Sequence, residues 1–259
     1  RIRAPRCAAA ARPGTFAHIS CDVSLPMRRP LSIMRVVDDA IEVLYKIVGE
    51  GLHLLAEKRA GDRISVLGPI GQPFTPSPDR PNALLIGGGV GIPPMVFLAE
   101  SLRQAPWRPL AILGSEIPFP FQLQGSELPT PWLDEGTNSS MPLLEEWGVP
   151  SRLTSLADYQ GCYRGYVTDL AEVWLQSADD DTRARTEVFA CGPTPMLKAV
   201  AALAERFELP CQVSLEEFMA CAVGGCAGCT VEITTPAGPA MKRVCVDGPV
   251  FDASTVVWT

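Results

Sequence analysis

The sequence predicts a multidomain α+β protein built from a small antiparallel β-barrel, a doubly wound parallel α/β domain and a small cysteine-rich C-terminal module. Short strands separated by Gly and Pro occupy the first part, and continuous apolar runs alternate with helical stretches in the second. Four of the nine cysteines fall within residues 221–245. The predicted boundaries are residues 1–78, 79–214 and 215–259.

The composition excludes several classes of function. With 47% hydrophobic and 20% charged residues the chain has the composition of a globular protein, and 259 residues suffice for two or three domains. A net charge of −7 without any Lys/Arg run argues against binding to nucleic acid or to an anionic membrane. The uncharged run Pro81–Ala99 holds four glycines and three prolines, so we expect no membrane-spanning helix there.

The first predicted domain has the alternation of half-buried strands. Apolar and polar residues alternate with a period of two over Ile41–Val48, which predicts one strand. A shorter strand is predicted over Arg63–Leu67, bounded by turns at Gly61-Asp62 and at Gly68-Pro69. The proline-rich residues 73–81 form a predicted linker to the next domain.

The second predicted domain alternates buried strands and helices. Ala83–Ile86 is a continuous apolar run, typical of a parallel strand covered on both faces, and further strands are predicted over Leu110–Leu113, Glu187–Ala190 and Gln212–Leu215. Helices are predicted from Met95 to about Arg103 and from Thr194 to about Phe207, the second with Thr194 as its cap and proline at its first position. Residues 122–146 are predicted to form an irregular insertion.

The cysteine-rich module predicts an iron–sulfur cluster. The spacing C-x4-C-x2-C-x15-C matches the plant-type ferredoxin spacing for a 2Fe–2S cluster. The predicted ligands are Cys221, Cys226, Cys229 and Cys245. Only small or aliphatic residues separate the first three, which leaves backbone amides free to bond the sulfurs. A hairpin of Thr230–Ile233 and Lys242–Val246 would return the last cysteine to the cluster.

A zinc site and unbonded core cysteines are two other interpretations of these cysteines. A structural zinc site would favour two separated C-x2-C pairs, and only one is present. Unbonded core cysteines would scatter along the chain. The remaining cysteines are expected to be buried free thiols, which indicates a reducing, cytoplasmic setting. They are Cys7, Cys21, Cys162, Cys191 and Cys211.

Two glycine-rich turns after predicted parallel strands indicate a dinucleotide site. Gly87, Gly88, Gly89 and Gly91 follow the first strand directly, and Cys191, Gly192 and Pro193 follow the third. Ligands of open α/β sheets gather at the carboxyl ends of the strands, so the two turns support each other; a plain tight turn is the alternative for the first. Glu116, after the second strand, could bond a ribose hydroxyl or be a solvated loop acid. Cys191 could face a nicotinamide or be a small packed residue.

In the predicted barrel, residues 29–32 combine a guanidinium suited to phosphate oxygens with a hydroxyl group. Residues 45–51 place an aromatic side chain beside a predicted glycine turn. Either stretch alone could be an ordinary strand edge. The only histidines, His18 and His53, form no catalytic or metal-binding constellation and are predicted to be structural.

Taken together, these motifs resemble the ferredoxin–NADP reductase superfamily. They are Arg29-Pro-Leu-Ser32, Gly49-Glu-Gly51, Gly87-Gly-Gly-Val-Gly91, Cys191-Gly-Pro193 and the four-cysteine pattern. Within the superfamily, Leu67-Gly-Pro-Ile-Gly71 and Glu216–Cys226 resemble the electron-transfer subunits of NAD-dependent dihydroorotate dehydrogenases. The resemblance covers about residues 13–252.

The resemblance implies an FAD-binding barrel, an NAD-binding domain and a 2Fe–2S module. The residues that would hold FAD are Arg29, Pro30, Leu31, Ser32, Lys46, Val48, Gly49, Glu50 and Gly51. The sequence departs from the family at Thr15, where Gln is usual, and at Leu52, where Thr is usual. The opening strands of the barrel would precede Arg1.

The resemblance also implies a function. The chain would pass electrons from a partner, the FMN-containing dihydroorotate dehydrogenase catalytic subunit, through the cluster and FAD to NAD⁺ in pyrimidine biosynthesis, as part of a heterotetramer. The uncharged loop, at Ala222 and Ala227, would be exposed and dock the partner. Alternatives are an NAD(P)H-dependent ferredoxin or sulfide reductase subunit and a non-catalytic iron–sulfur redox sensor.

Overall fold

Residues up to 70 form six strands and two helices in the computed structural model, which describes residues 1–258. The elements are β1 (Ile2–Arg3), α1 (Pro5–Ala10), β2 (Phe16–Ile19), β3 (Arg29–Ser32), β4 (Arg35–Val37), β5 (Ala40–Glu42), α2 (Gly49–Ala56) and β6 (Val66–Ile70). The strands pair antiparallel in two three-stranded sheets, with the orders β1-β5-β4 and β3-β2-β6. A core that includes Ile19, Ile33 and Ile41 lies between these elements.

Three sequence predictions in this part are corrected. The strand predicted over Ile41–Val48 ends at Glu42, because its partner β4 has only three residues. The strand predicted to end at Leu67 instead runs through Gly68-Pro69 to Ile70, because a register shift opposite β2 accommodates the extra residues. The turn predicted at residues 49–51 is the start of α2, which packs Leu55 into the core.

The middle of the chain builds a larger sheet with helices on both faces. Its elements are β7 (Asn82–Gly88), α3 (Ile92–Leu102), β8 (Arg108–Gly114), β9 (Gln124–Gly125), β10 (Ser139–Ser140), α4 (Pro142–Glu146), β11 (Ser151–Ser155), β12 (Tyr163–Arg164), α5 (Val167–Ser177), α6 (Asp180–Ala184), β13 (Thr186–Cys191), α7 (Thr194–Arg206) and β14 (Cys211–Ser214). One face packs on α5 and α7, and the other on α3 and α4. The alternating pattern therefore produces a doubly wound arrangement, as predicted.

All four predicted parallel strands and both predicted helices of this part are confirmed. The cap of α7 is Pro193, not Thr194, because Thr194 already has helical geometry. The strand β11 and the helix α5 were not predicted from the sequence. Residues 122–146 are mostly irregular, apart from the two-residue strands β9 and β10 and the short helix α4.

The last part holds a hairpin of β15 (Thr230–Thr235) and β16 (Gly238–Arg243), as predicted. The second strand begins earlier than predicted and ends at Arg243, so Cys245 lies in the turn after it. The strand β17 (Val250–Asp252) then joins the large sheet antiparallel to β14. The complete sheet has the order β12-β11-β8-β7-β13-β14-β17. Within residues 1–258, no helix is long and apolar enough to cross a membrane.

Candidate functional site

The four predicted ligand cysteines come together in two pairs on the loop before β15 and the turn after β16. In the first pair the Cys226 amide donates to Cys221 Sγ at 3.4 Å, and in the second the amide of Val244, next to Cys245, donates to the Cys229 carbonyl at 2.8 Å. The first pair is the more exposed, with Cys226 at the surface, whereas Cys229 and Cys245 are buried. The hairpin therefore performs its predicted task of returning the last cysteine to the other three.

The backbone of this loop, residues 221–229, is wound so that its amides point at sulfur. Ala222 and Ala227 have φ values of 56° and 53°, a left-handed conformation that non-glycine residues adopt at an energetic cost and that concentrates at functional sites. The Cys226 amide donates to Cys221 Sγ at 3.4 Å, and the Gly228 amide donates to Cys226 Sγ at 3.4 Å.

These amides change the acidity of the thiols. Backbone N–H groups, first that of Val223 and then that of Cys226, lower the pKa of Cys221 to about 6. Burial, followed by the Cys229 thiol, raises the pKa of Cys245 to about 11. Iron binds the deprotonated thiolate of cysteine. The lowered pKa of Cys221 favours its thiolate, whereas Cys245 would lose its proton only when the metal binds.

The donor set fits a two-iron cluster better than a single ion. Among residues 1–258, no three His, Cys, Asp or Glu side chains are grouped closely enough to hold one metal ion. A structural zinc ion needs four ligands around one centre, whereas a 2Fe–2S cluster shares its four cysteines between two irons. Four cysteines arranged as two neighbouring pairs match the second requirement.

The turn that carries Cys245 lies against the residues that follow β6. The Gln72 amide donates to Gly248 O at 2.6 Å, and Gln72 Nε2 donates to Val246 O at 3.2 Å. A groove of about 430 Å³ separates residues 67–72 from Val223 and Cys245. The prediction that Ala222 is exposed is wrong, because it is 2% exposed and packs in the core below the loop. Ala227, Cys226 and Val223 do face solvent.

A second group of predicted residues meets at the start of α2. A Cβ atom on Gly51 would lie 3.1 Å from Arg29 Nε, so the guanidinium covers the first turn of the helix. Arg29 donates to the Met27 carbonyl at 3.0 Å and has no carboxylate partner within residues 1–258. An arginine beside the free amides of a helix N-terminus suits the oxygens of a phosphate.

The other predicted residues of this group differ in exposure. Leu31 is buried in β3, Ser32 is half-buried, and Lys46, Val48 and Glu50 are exposed. His18, on the neighbouring strand β2, is 1% exposed, and neither ring nitrogen has a hydrogen-bond partner. Burial, and then the charge of Arg28, lower its pKa. His18 is therefore neutral, which agrees with the structural role predicted for it.

The two glycine-rich turns lie side by side at the carboxyl ends of the parallel strands. Gly87 pairs with Cys191 across β7 and β13. A Cβ atom on Gly91 would stand 2.0 Å from Cys191 O, and one on Gly192 would stand 2.5 Å from the Met196 side chain. Gly89 has a φ of 55° and open space around it. The close approach explains why glycine occupies these turns.

Three further residues lie at this edge of the sheet. Cys191 is 1% exposed, packs in the core, and has its pKa raised to about 12 by burial first and by the charge of Glu216 second. Of the two interpretations of Cys191, a thiol facing a nicotinamide or a small packed residue, the burial favours the second. Glu116 is exposed, two residues past β8. Glu216 follows β14. Its place beside Cys191 was not predicted from the sequence, although its position directly after a predicted parallel strand indicates this edge of the sheet.

Comparisons with known proteins agree with this arrangement. The family model for the iron–sulfur cluster binding domain of dihydroorotate dehydrogenase B matches residues 216–257. The electron transfer subunit of dihydroorotate dehydrogenase B (NAD(+)) from Bacillus caldolyticus is 36% identical over 255 residues, covering 95% of this chain and 87% of that protein. The corresponding subunit from Caldanaerobacter subterraneus subsp. tengcongensis is 30% identical over 246 residues, with the same coverage of 95% and 87%.

Solved structures share the fold. The structure of an NADH-dependent reduced ferredoxin–NADP oxidoreductase is 28% identical, with a TM-score of 0.78 that covers 99% of this chain and 83% of that one. A ferredoxin reductase of carbazole 1,9a-dioxygenase is 19% identical, with a TM-score of 0.54 over 78% of this chain and 56% of that one. The second likeness concerns the fold alone: a ferredoxin-reductase-like arrangement with a parallel sheet.

Proposed function

Because this chain belongs to the family of electron-transfer subunits of dihydroorotate dehydrogenase B, we propose that it carries electrons from a dihydroorotate-oxidising partner to NAD⁺. The partner is an FMN-containing catalytic subunit, and the two form a heterotetramer in pyrimidine biosynthesis. The cofactors of this chain are an iron–sulfur cluster, FAD and NAD. A cluster exchanges single electrons, NAD⁺ accepts a pair as hydride, and a flavin does both.

The observation that carries this proposal is the arrangement of the four cysteines in two thiol pairs. Cys221 with Cys226 and Cys229 with Cys245 supply two thiolates to each iron of a 2Fe–2S cluster. The amides of the loop neutralise part of the negative charge on sulfur, which favours the reduced state. The contact between the turn that carries Cys245 and Gln72, just after β6, supports electron exchange with a flavin held by the first part of the chain.

We assign FAD to the first part of the chain. The Arg29 guanidinium and the N-terminal amides of α2 at Gly49 and Gly51 support binding of its phosphates. Ser32 on β3 would face the ring system, Pro30 and Leu31 lie between Arg29 and Ser32 in that strand, and Lys46, Val48 and Glu50 would flank the ring. The two antiparallel sheets would close into the barrel that surrounds this site.

NAD is assigned to the glycine-rich edge of the large sheet. Gly87, Gly88, Gly89 and Gly91 would admit the pyrophosphate, and the open space around Gly89, with nothing within 4 Å of its Cβ position, supports this. Gly192 and Pro193 would line the opposite side, with Cys191 packed beneath them. Glu116 would accept a ribose hydroxyl and repel a 2′-phosphate.

With these assignments the chain consists of an FAD domain (residues 1–78), an NAD domain (79–214) and a cluster module (215–259). The return of β17 to the large sheet supports a rigid connection between the last two. The exposed Val223, Cys226 and Ala227 would form the docking surface for the partner subunit. The free thiols support a reducing, cytoplasmic setting.

A second candidate function is an NAD(P)H-dependent reductase component that serves ferredoxin. The specific observation in its favour is the likeness, at a TM-score of 0.78, to an NADH-dependent reduced ferredoxin–NADP oxidoreductase. The two functions share the cluster, FAD and dinucleotide sites, and they differ in what docks at the cysteine loop.

One experiment separates these functions. The chain is purified anaerobically, its flavin and cluster spectra are recorded, and it is titrated with NADH and with NADPH. The expected result is a coloured protein whose flavin is bleached by NADH, and which reduces NAD⁺ with dihydroorotate only after the FMN-containing partner is added. A colourless protein would contradict both functions, and bleaching by NADPH alone would contradict the assignment to NAD.

A further inference from the structure

One cavity lies away from all three proposed cofactor sites. It has a volume of about 480 Å³, within the range of small-molecule pockets. Its lining includes Asn82 and Arg108, which begin β7 and β8, and Pro150, which precedes β11. These residues mark the amino ends of the parallel strands, whereas the glycine-rich turns lie at the carboxyl ends.

Three tryptophans line this cavity. Trp107 precedes β8, Trp132 lies in the irregular insertion, and Trp174 lies on α5. Each is half-buried, so part of its ring is packed and part is presented to the cavity. Three separate segments thus each contribute an indole to the lining, and an indole is a side chain on which a planar aromatic ring can stack.

The charged lining residues are both arginines. Arg103 and Arg108 line the cavity together with no acidic residue. Neither forms an ion pair with a carboxylate within residues 1–258. Arg103 also lies over the ring of Trp147, with its Cζ atom 5.7 Å from the ring centroid. Two guanidinium groups without acidic partners favour an anionic ligand, which they could bind in bidentate fashion.

A third arginine lies behind the wall of the cavity. Arg152 is 2% exposed, and its Nε atom has no hydrogen-bond partner. Its Nη2 atom donates to Thr130 Oγ1 at 2.6 Å, and Thr130 lines the cavity. The carboxylate whose charge acts on Arg152 is that of Glu145. Glu145 accepts a hydrogen bond from Ser126 Oγ at 2.8 Å.

Arg152 contributes in two ways. A buried cation without a directly bonded carboxylate keeps the wall of the cavity positive. In addition, since Thr130 Oγ1 accepts a hydrogen bond from Arg152, its own O–H remains available to donate into the cavity. The cavity is therefore lined by three indoles, by two arginines that lack a carboxylate partner, and by a threonine hydroxyl whose oxygen already accepts a hydrogen bond.

We propose that this cavity binds a small planar aromatic molecule that carries a phosphate or carboxylate group. The ring would stack on the indoles, and the anionic group would pair with Arg103 and Arg108. The site is additional to those for FAD, NAD and the cluster, and its ligand is neither a reactant nor a cofactor of the proposed electron transfer.

The test is a titration of the full chain, with FAD and NAD⁺ at saturation so that their own sites are filled. The probes are cytidine 5′-monophosphate and 2-naphthoate, which represent an aromatic phosphate and an aromatic carboxylate. Cytidine and inorganic phosphate serve as the ring and the anion alone. Binding is followed by isothermal calorimetry and by quenching of tryptophan fluorescence.

At least one of the two aromatic anions is expected to bind saturably and more tightly than cytidine or phosphate, and the tighter of the two identifies the anionic group. Arg108→Gln and Arg103→Gln should each weaken binding about tenfold, as expected for loss of a charged hydrogen bond. Trp132→Leu should remove part of the quenching. The matched control Arg63→Gln, an exposed arginine before β6, should change nothing.

Two results would overturn the proposal. The first is saturable binding of neither aromatic anion. The second is binding that Arg103→Gln, Arg108→Gln and Trp132→Leu all leave unchanged. Circular dichroism of each variant confirms that it is folded, and the two arginines are exposed enough that their substitution leaves the core intact.

Discussion

Gly91 and Cys191 approach so closely that a Cβ atom on Gly91 would lie 2.0 Å from the Cys191 carbonyl oxygen. The contact joins the turn after β7 to the end of β13. It fixes the relative position of two backbone segments that come from distant parts of the sequence. Both segments line the edge to which NAD is assigned, so one glycine serves folding and the site together.

Gly91→Ala should therefore be strongly destabilising. Neither neighbour of the new methyl group is a flexible side chain, so the backbone has to move, at a cost of about 2–3 kcal/mol. The midpoint of thermal unfolding should fall by roughly 5–10 °C. The control is Gly136→Ala, because nothing lies within 4 Å of Gly136. Equal stability of the two variants would mean that the turn can relax freely.

Arg29→Ala should release FAD. The variant loses the guanidinium that covers Gly51, and with it charged hydrogen bonds to the phosphates, so affinity should fall about tenfold or more. Arg29→Lys keeps the charge but not the planar fork and should give an intermediate affinity. Flavin content after gel filtration is the measurement, with Arg63→Ala as control. Full flavin content in Arg29→Ala would place the phosphates elsewhere.

Cys226→Ser should abolish the cluster and spare the flavin. Iron analysis should fall from about two atoms per chain to near zero, because a hydroxyl is a poor ligand for this cluster. NADH-dependent reduction of a dye should continue. Cys162→Ser, outside the cysteine loop, should keep its iron. Retention of iron in Cys226→Ser would show that another donor replaces the thiolate.

Charges placed on the cysteine loop should separate docking from folding. Ala227→Asp is exposed and keeps a left-handed backbone that Asp tolerates, so stability should change little while partner association weakens. Ala222→Asp buries a carboxylate at a site that is 2% exposed, so the loop itself should be lost. Size-exclusion chromatography with the partner and iron content measure the two effects. Val23→Asp, at a fully exposed position, is the control.

If Ala227→Asp bound the partner as well as the unchanged chain does, the docking surface would have to lie elsewhere. If Ala222→Asp kept its iron, the packing of Ala222 would not be what holds the loop.

The pair of Asp22 and Lys58 should make stability depend on pH. Lys58 Nζ donates to Asp22 Oδ2 at 2.5 Å, which ties the end of α2 to the segment after β2. The hydrogen bond from Lys58 lowers the pKa of Asp22, and that from Asp22 raises the pKa of Lys58. The lowered carboxyl pKa gives stability that is present above the unfolded value of about 3.9 and lost as pH falls below it. The raised ammonium pKa gives stability that is lost as pH rises past about 10.4.

Asp22→Asn should therefore lower the unfolding temperature between about pH 5 and pH 9, and the difference from the unchanged chain should shrink below about pH 3. Thermal unfolding across this range measures it, and Asp38→Asn, at an exposed surface pair, is the control. A difference that does not vary with pH would mean that the pair contributes no charge-dependent stability.

The parts that were predictable from the sequence are those in which spacing alone carries the information. A continuous apolar run such as Leu84–Ile86 has few structural options other than a strand buried on both faces. The spacing from Cys221 to Cys229 likewise selects the ligand set, because a short loop can present its thiols to one cluster in few ways. Strand ends in the first part were less predictable, because the end of β5 depends on its partner strand.

Local sequence therefore determined the order of the elements, the strands of the large sheet, the glycine-rich turns and the cysteines of the cluster. Only the tertiary structure decided that Ala222 is buried while Ala227 is exposed, that Arg29 covers the start of α2, and that three tryptophans share one cavity. The reason is physical. Periodicity and spacing describe interactions along a short stretch of backbone, whereas burial and the meeting of distant side chains depend on how the completed elements pack together.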